Sequence, residues 1–230
     1  MLADKVKNSY VYGFQEKDGP EKQKIQGKEL FPEHLATSTT VKSIKLWFGT
    51  PPGKDFKALL AIQVKYVNYI TGKRVETRIQ GAQIDGTDVE INELEVETND
   101  HLSKLNIGFE DYIQHIKFST KKKKFIEFGK IVDEYEKQSV KEINDGDNII
   151  LNIKGYYSPN GVRSLGCEYM PFKDFCFIRL MDIFRLKNKI KKEGKEKYIK
   201  EMSKLDIGMK CVLKVCLLPD NQFVTVIKYL

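Results

Sequence analysis

The sequence predicts a mainly β protein that carries a helix and a further β pair at its C-terminal end. Period-two alternation of apolar and polar residues recurs through residues 41–171, and turn formers such as Gly, Pro, Asn and Asp separate the alternating runs. After Pro171 the apolar spacing changes to that of a helix.

Residues 1–40 read as an extended arm, in which the aromatic pieces "SYVYGF" and "ELFPEHL" flank the polar "QEKDGPEKQKIQGK". Tyr10, Tyr12, Phe14, Leu30 and Phe31 are its anchors, for docking on the domain itself or on another protein, and Asp18-Gly19-Pro20 marks a turn.

The first long strand places Lys42, Ile44, Leu46 and Phe48 on one face and Val41, Ser43, Lys45 and Trp47 on the other, and "GTPPGKD" ends it. A second strand alternates Leu60, Ile62, Val64 and Tyr66 with Ala61, Gln63, Lys65 and Val67. It turns at Thr71-Gly72-Lys73 into "RVETRIQG". In "DVEINELEVET" the apolar set slips from Val89 and Ile91 to Leu94 and Val96, which predicts a β-bulge at Asn92-Glu93.

"YIQHIKFST" and "FIEFG" follow as strands joined by the lysine turn Lys121, Lys122, Lys123 and Lys124, and "IVDEYEKQSVKEI" reads as a loop or a single short helix. A hairpin then runs from Ile149, Leu151 and Ile153 through a Ser-Pro-Asn-Gly turn and back through Leu165, Cys167 and Tyr169.

Beyond Pro171, Phe177, Leu180, Met181 and Phe184 stand at i, i+3, i+4 and i+7, the stripe of an amphipathic helix. The helix continues into a basic run that includes Lys187, Lys189, Lys191 and Lys192, and Gly194 breaks or ends it. "CVLKVCLL" and "FVTVIKYL", separated by Pro219-Asp220-Asn221-Gln222, read as a final β-hairpin. The expected organisation is an arm over residues 1–40, a β domain over 41–171 and a basic helix with β-hairpin over 172–230. "SKLNIG" at 103–108 and "SKLDIG" at 203–208 differ at one position, a match too short to define a repeat.

Composition narrows the function classes. No apolar run is long enough to cross a bilayer as a helix, and the first residues lack a secretory hydrophobic region, so a soluble cytoplasmic protein is expected. The four cysteines have no C-x-x-C spacing and lie far in sequence from the three histidines, which argues for core thiols and against structural zinc. No nucleophile elbow, phosphate-binding loop or H-E-x-x-H motif is present. Catalytic residues, cofactors and metal sites are therefore expected to be none. A formal charge of +7 suits an acidic partner, against the plainer reading of a solvated lysine face.

The β segments "VKSIKLWFG", "LLAIQVKYVNYITGK", "EDYIQHIKFSTKKKKFIEFG" and "NIILNIKGYYSPNGVRSLGCEY" together resemble the jacalin-related lectin domain over about residues 41–170. The features that carry the resemblance are residues 110–113, residues 116–124, Phe128-Gly129, and Gly155-Tyr156-Tyr157 through Leu165-Gly166. It implies a β-prism of three sheets, so the fold expected is a jacalin-like β-prism with a C-terminal helix and β-hairpin extension.

In sugar-binding members of that family, the pocket uses an N-terminal glycine and an aspartate in the last hairpin loop, whose carboxylate accepts hydrogen bonds from sugar hydroxyls. Here the corresponding loop offers Gly155, Asn160, Gly161, Arg163 and Ser164, and either alignment of the motif puts Arg163 or Leu165 where the acid belongs. Arginine donates and cannot accept, so the loop suits an anionic group better than a neutral sugar.

The expected function is a non-catalytic binding or structural subunit of an intracellular assembly, with the jacalin-like domain as an interaction scaffold. Lys121, Lys122, Lys123, Lys124, Lys187, Lys189, Lys191 and Lys192 form the basic patch for acidic protein partners, such as a cytoskeletal or ciliary surface. The alternative is a lectin of altered, anionic specificity. Nucleic acid fits less well, because Tyr198 is the only aromatic interleaved with the basic run.

Overall fold

The computed structural model describes residues 6–8, 12–13, 23–25, 27, 39–69, 72–82, 88–129, 141–143, 147–201 and 207–227. Its strands make three antiparallel sheets. In the first, β4 (Thr39–Gly49) pairs with β5 (Ala58–Asn68) and β8 (Val89–Glu95), while β6 (Arg74–Glu76) and β7 (Gln80–Gly81) pair with β5. In the second, β10 (Ile113–Thr120) lies between β11 (Phe125–Phe128) and β9 (Leu102–Phe109), and β12 (Lys141–Ile143) pairs with β9.

The third sheet is the hairpin β13 (Asn148–Ser158) and β14 (Gly161–Pro171), flanked by short pieces of the N-terminal segment: β1 (Lys7–Asn8), β2 (Tyr12–Gly13) and β3 (Gln23–Lys24). One core joins all three sheets. Ile44, Ile62 and Tyr66 meet Leu105, Ile116 and Phe118, and Ile150, Ile153 and Leu165 complete it. This is the jacalin-like β-prism arrangement, in which each sheet turns one apolar face inward.

Bulges change which residues of the first two long strands face inward. Register shifts lie between Val41 and Ser43 and between Trp47 and Phe48. An extra residue on one strand reverses the side-chain alternation beyond it, so Val41 is buried in the core while Lys42 is half-buried. Leu59 joins the core for the same reason, and Leu60 packs with Trp47 in a separate cluster. The bulge expected at Asn92-Glu93 is absent, because β8 stays in continuous register with β4. Its apolar residues divide between two faces instead: Val89 lies against the Trp47 cluster, and Leu94 enters the main core.

The N-terminal segment contributes to the fold where it is described. Ile25 is buried in the main core, and its backbone N–H donates to the Gly155 carbonyl at 2.9 Å. Tyr10, Phe14, Leu30, Phe31 and Asp18-Gly19-Pro20 lie outside the described residues, as do residues 131–140 of the segment expected as a loop or helix. The last residues of that segment, Lys141–Ile143, form strand β12.

Helix α1 (Phe172–Glu193) begins directly after β14 and ends at Gly194, whose φ of 89° and N–H bond to Ile190 O at 3.0 Å close the last turn. Its buried stripe is Phe175, Ile178, Ile183, Lys187 and Ile190, not the expected Phe177, Leu180, Met181 and Phe184. The chain has two helical apolar stripes here, and neighbours decide which is covered. Phe175 and Ile178 pack on Ile149, Leu151 and Met170 of the prism, and Ile183 and Ile190 pack on Leu213, Cys216 and Phe223.

After α2 (Lys195–Glu201), the expected β-hairpin is replaced by two helices, α3 (Ile207–Leu217) and α4 (Asp220–Ile227). The β-rich composition of "CVLKVCLL" is overridden by packing, because Leu213 and Cys216 stand three apart and together face α1. The echo at 203–208 is coincidental: residues 103–108 lie in β9, whereas Ile207 and Gly208 open α3.

Candidate functional site

The hairpin β13–β14 carries the loop singled out by sequence. Gly155 sits opposite Leu165 with φ of 155°, and a Cβ there would lie 2.0 Å from the Ser164 carbonyl oxygen. This glycine is required by strand approach and by the docking of Ile25, independently of any ligand. In the turn, Ser158 Oγ accepts from Asn160 N–H at 3.3 Å and donates to Gly161 O at 3.4 Å. Gly161, with φ of 143°, approaches the Leu59 carbonyl and the Tyr112 ring. Ser164 is fully buried, and its Oγ has no hydrogen-bond partner among the described residues.

Arg163 reaches from the hairpin to the β9–β10 connection. Its Nη1 donates to Asp111 O at 3.2 Å, and its guanidinium carbon lies 4.1 Å from the Tyr112 ring centroid. Tyr112 in turn meets Phe56 edge-on at 5.9 Å, and Lys54 Nζ stands 5.9 Å from the Phe56 ring. The arrangement joins the hairpin to the β4–β5 and β9–β10 connections by cation–π and aromatic contacts. Sequence alone singles out Arg163 and not the Asp111, Tyr112 and Phe56 around it, because contacts at such separation leave no local pattern.

The lysine turn between β10 and β11 is partly neutralised. Lys121 pairs with Asp147 at 2.8 Å, and Lys124 pairs with Glu97 at 2.5 Å. Those hydrogen bonds hold the Asp147 and Glu97 carboxyls below their ordinary values and raise Lys124. Lys122 and Lys123 carry exposed side chains. Lys123 adopts a φ of 66°, and its N–H donates to Thr120 O. Beside the turn runs an open groove lined by Lys42, Glu95, Glu97, Thr98, Asn99 and Lys124.

The helical lysines divide. Lys187 is turned inward, with 6% of its surface exposed, so it belongs to the structure of the extension. Its Nζ donates to Leu218 O at 2.6 Å and Cys216 O at 3.3 Å, pairs with Asp220 at 3.4 Å and lies 4.3 Å from the Phe223 ring. It thereby receives the carbonyls at the C-terminal end of α3. Lys191 pairs with Asp220 at 2.6 Å and Lys189 with Glu193 at 3.7 Å, and Lys192 is exposed. The structure therefore does not gather the eight lysines into one exposed patch.

Two histidines are also placed. His115 Nε2 lies 3.1 Å from Glu127 Oε1, and Lys117 bonds the other oxygen of that carboxylate at 2.8 Å. His101 stacks on Phe172 at 4.3 Å with rings 8° apart, linking the prism to the first residue of α1. Cys167 and Cys216 are buried, and burial pushes the Cys216 thiol up to about 11, away from nucleophilic reactivity.

No family model matches the chain, and no curated protein matches it in sequence. Solved structures do match in fold. A mannose binding jacalin related lectin from Ananas comosus aligns with a TM-score of 0.50 and 15% identity, over 72% of this chain and 98% of its own. A Calsepa lectin in complex with a biantennary N-glycan gives 0.50 and 15% over 72% and 96%, and a mannose binding lectin from Champedak gives 0.50 and 11% over 72% and 96%. At these identities the likeness establishes the jacalin-like β-prism fold and leaves the ligand to the residues of this chain.

Proposed function

We propose that this chain is a non-catalytic binding subunit of an intracellular multiprotein assembly, with its β-prism as a protein-interaction scaffold. The observation that carries the reading is Arg163. The hairpin that holds an acceptor carboxylate in sugar-binding jacalin-related lectins here holds a donor, already engaged by the Asp111 carbonyl and the Tyr112 ring. A group that only donates cannot take the hydroxyl hydrogens of a neutral sugar. The mannose-binding function named for the pineapple and Champedak proteins is therefore poorly supported by this loop.

Acidic protein surfaces suit the exposed Lys122 and Lys123, together with Lys189 and Lys192 on α1. A cytoskeletal or ciliary partner fits that charge. Affinity isolation of the full chain from its native source tests the reading. A fixed, salt-sensitive set of partners is expected, reduced by Lys122→Glu with Lys123→Glu. Recovery of the chain alone at low salt would count against the assembly.

A second reading, a lectin for anionic glycans, is favoured by the position of Arg163 near the Lys54–Phe56 pair. An array containing sulfated sugars decides it. Robust binding that disappears in Arg163→Ala would favour the lectin over the scaffold.

A further inference from the structure

The helical extension leaves an apolar ridge uncovered. Phe177, Met181 and Phe184 are 54%, 37% and 38% exposed. They stand at i, i+4 and i+7 on the side of α1 opposite the buried stripe of Phe175, Ile178, Ile183 and Ile190. Phe177 and Met181 are not needed for a core, since α1, α3 and α4 already enclose Ile183, Ile190, Leu213, Cys216 and Phe223, whereas Phe184 closes the ridge at the core's edge with its ring edge-on to Phe223 at 5.1 Å. Ile199 of α2 and Val224 of α4 are exposed as well, so five of the eight exposed large hydrophobics among the described residues lie in this unit.

The same unit carries the charge. Residues 1–171 contain 25 Lys or Arg and 25 Asp or Glu, whereas residues 172–230 contain 14 and 7. The net formal charge of +7 therefore resides entirely in the extension. Lys173, four residues before Phe177, continues the line of the ridge at one end, and Lys191, seven after Phe184 and paired with Asp220, stands at the other. Lys192 and Arg185 stand beside it, both exposed, with Arg185 bonded to Asp182 at 2.9 Å.

We infer that this ridge is a docking surface for an anionic lipid bilayer. Phe and Met side chains on one line of a helix enter the boundary between headgroups and acyl chains, while flanking lysines extend their ammonium groups to the phosphates and carboxylates above. The type of cation favours this occupant over a macromolecular groove. Of the 14 basic residues in the extension, 12 are lysine. Lysine is depleted at protein interface cores and lacks the planar fork that reads nucleic acid, but a diffuse anionic surface asks only for charge. No helix among the described residues is long and apolar enough to span a membrane.

This inference stands apart from the protein-partner reading, because variants at Phe177, Met181 and Lys173 leave Lys122, Lys123, Lys189 and Lys192 untouched. The test is co-sedimentation of the full chain with vesicles of equimolar phosphatidylserine and phosphatidylcholine, beside vesicles of phosphatidylcholine alone. Salt-sensitive binding to the first and little to the second is expected. Phe177→Ser with Met181→Ser should lower partitioning by about tenfold, and Lys173→Glu by several-fold. Circular dichroism confirms that the variants keep their fold. A separate Phe177→Trp variant should show a blue shift of emission on anionic vesicles, against the background of the buried Trp47.

Equal binding to both vesicles, binding to neither, or unchanged binding by the ridge double variant would overturn the inference. Equal affinity for soluble glycerophosphoserine, or a protein that occupies the ridge without vesicle binding, would also overturn it.

Discussion

His101 shows how one side chain couples chemistry to architecture. Burial against Phe172 disfavours the imidazolium and lowers its pKa, opposing the pull of Asp100 and Asp147, while Lys121 acts in the same direction as burial. The unfolded chain takes up the proton near the ordinary histidine value of about 6.5, and the folded chain takes it up only at lower pH. Stability from this residue is therefore full above about pH 6.5, declines as pH falls below it, and stops declining once the folded value is passed. Denaturant unfolding followed between neutral and mildly acidic pH should show this loss, and His101→Phe, which keeps a ring against Phe172, should flatten it.

At the same scale, Arg163 and Lys187 illustrate what a residue type leaves open. Both are cations flagged by sequence as binding groups. One lies across Tyr112 at the hairpin, and the other is buried beneath α3 and α4.

Among the elements, the hairpin β13–β14 was legible because its glycines, its Ser-Pro-Asn-Gly turn and its alternation are local. The helix α1 was legible in type and in its end at Gly194, but not in its buried face. The helices α3 and α4 were not legible. Their β-branched and cysteine-rich runs favour strands locally, and only the neighbouring face of α1 makes a helix the better way to bury them.

Lys187 holds the junction between α3 and α4, so Lys187→Met, which keeps most of the apolar stem, should leave the Leu218 and Cys216 carbonyls without their donor. A loss of about 1–3 kcal/mol in the extension is expected, read as faster hydrogen exchange over residues 207–227 with little change in the prism strands.

For the whole molecule, the prism and the helical extension have separate cores joined by the cluster of Phe175, Ile178, Ile149, Leu151 and Met170. Phe175 is buried and meets Tyr69 edge-on at 5.2 Å. Phe175→Ala should therefore weaken the junction by about 3–5 kcal/mol. Unfolding by denaturant should then separate into two transitions, with helical signal lost before strand signal. A single unchanged transition would mean that other contacts couple the two units.

The mainly β character, the order of the long strands, the hairpin turn and the existence and end of α1 are legible in the sequence, because each depends on residues close together in the chain. Tertiary structure alone decided where bulges reverse the strand faces, that α3 and α4 are helices, which stripe of α1 is covered, and which lysines are spent inside the fold. Those outcomes turn on which distant surface is available for burial. That competition is resolved only when the three sheets and the helices meet.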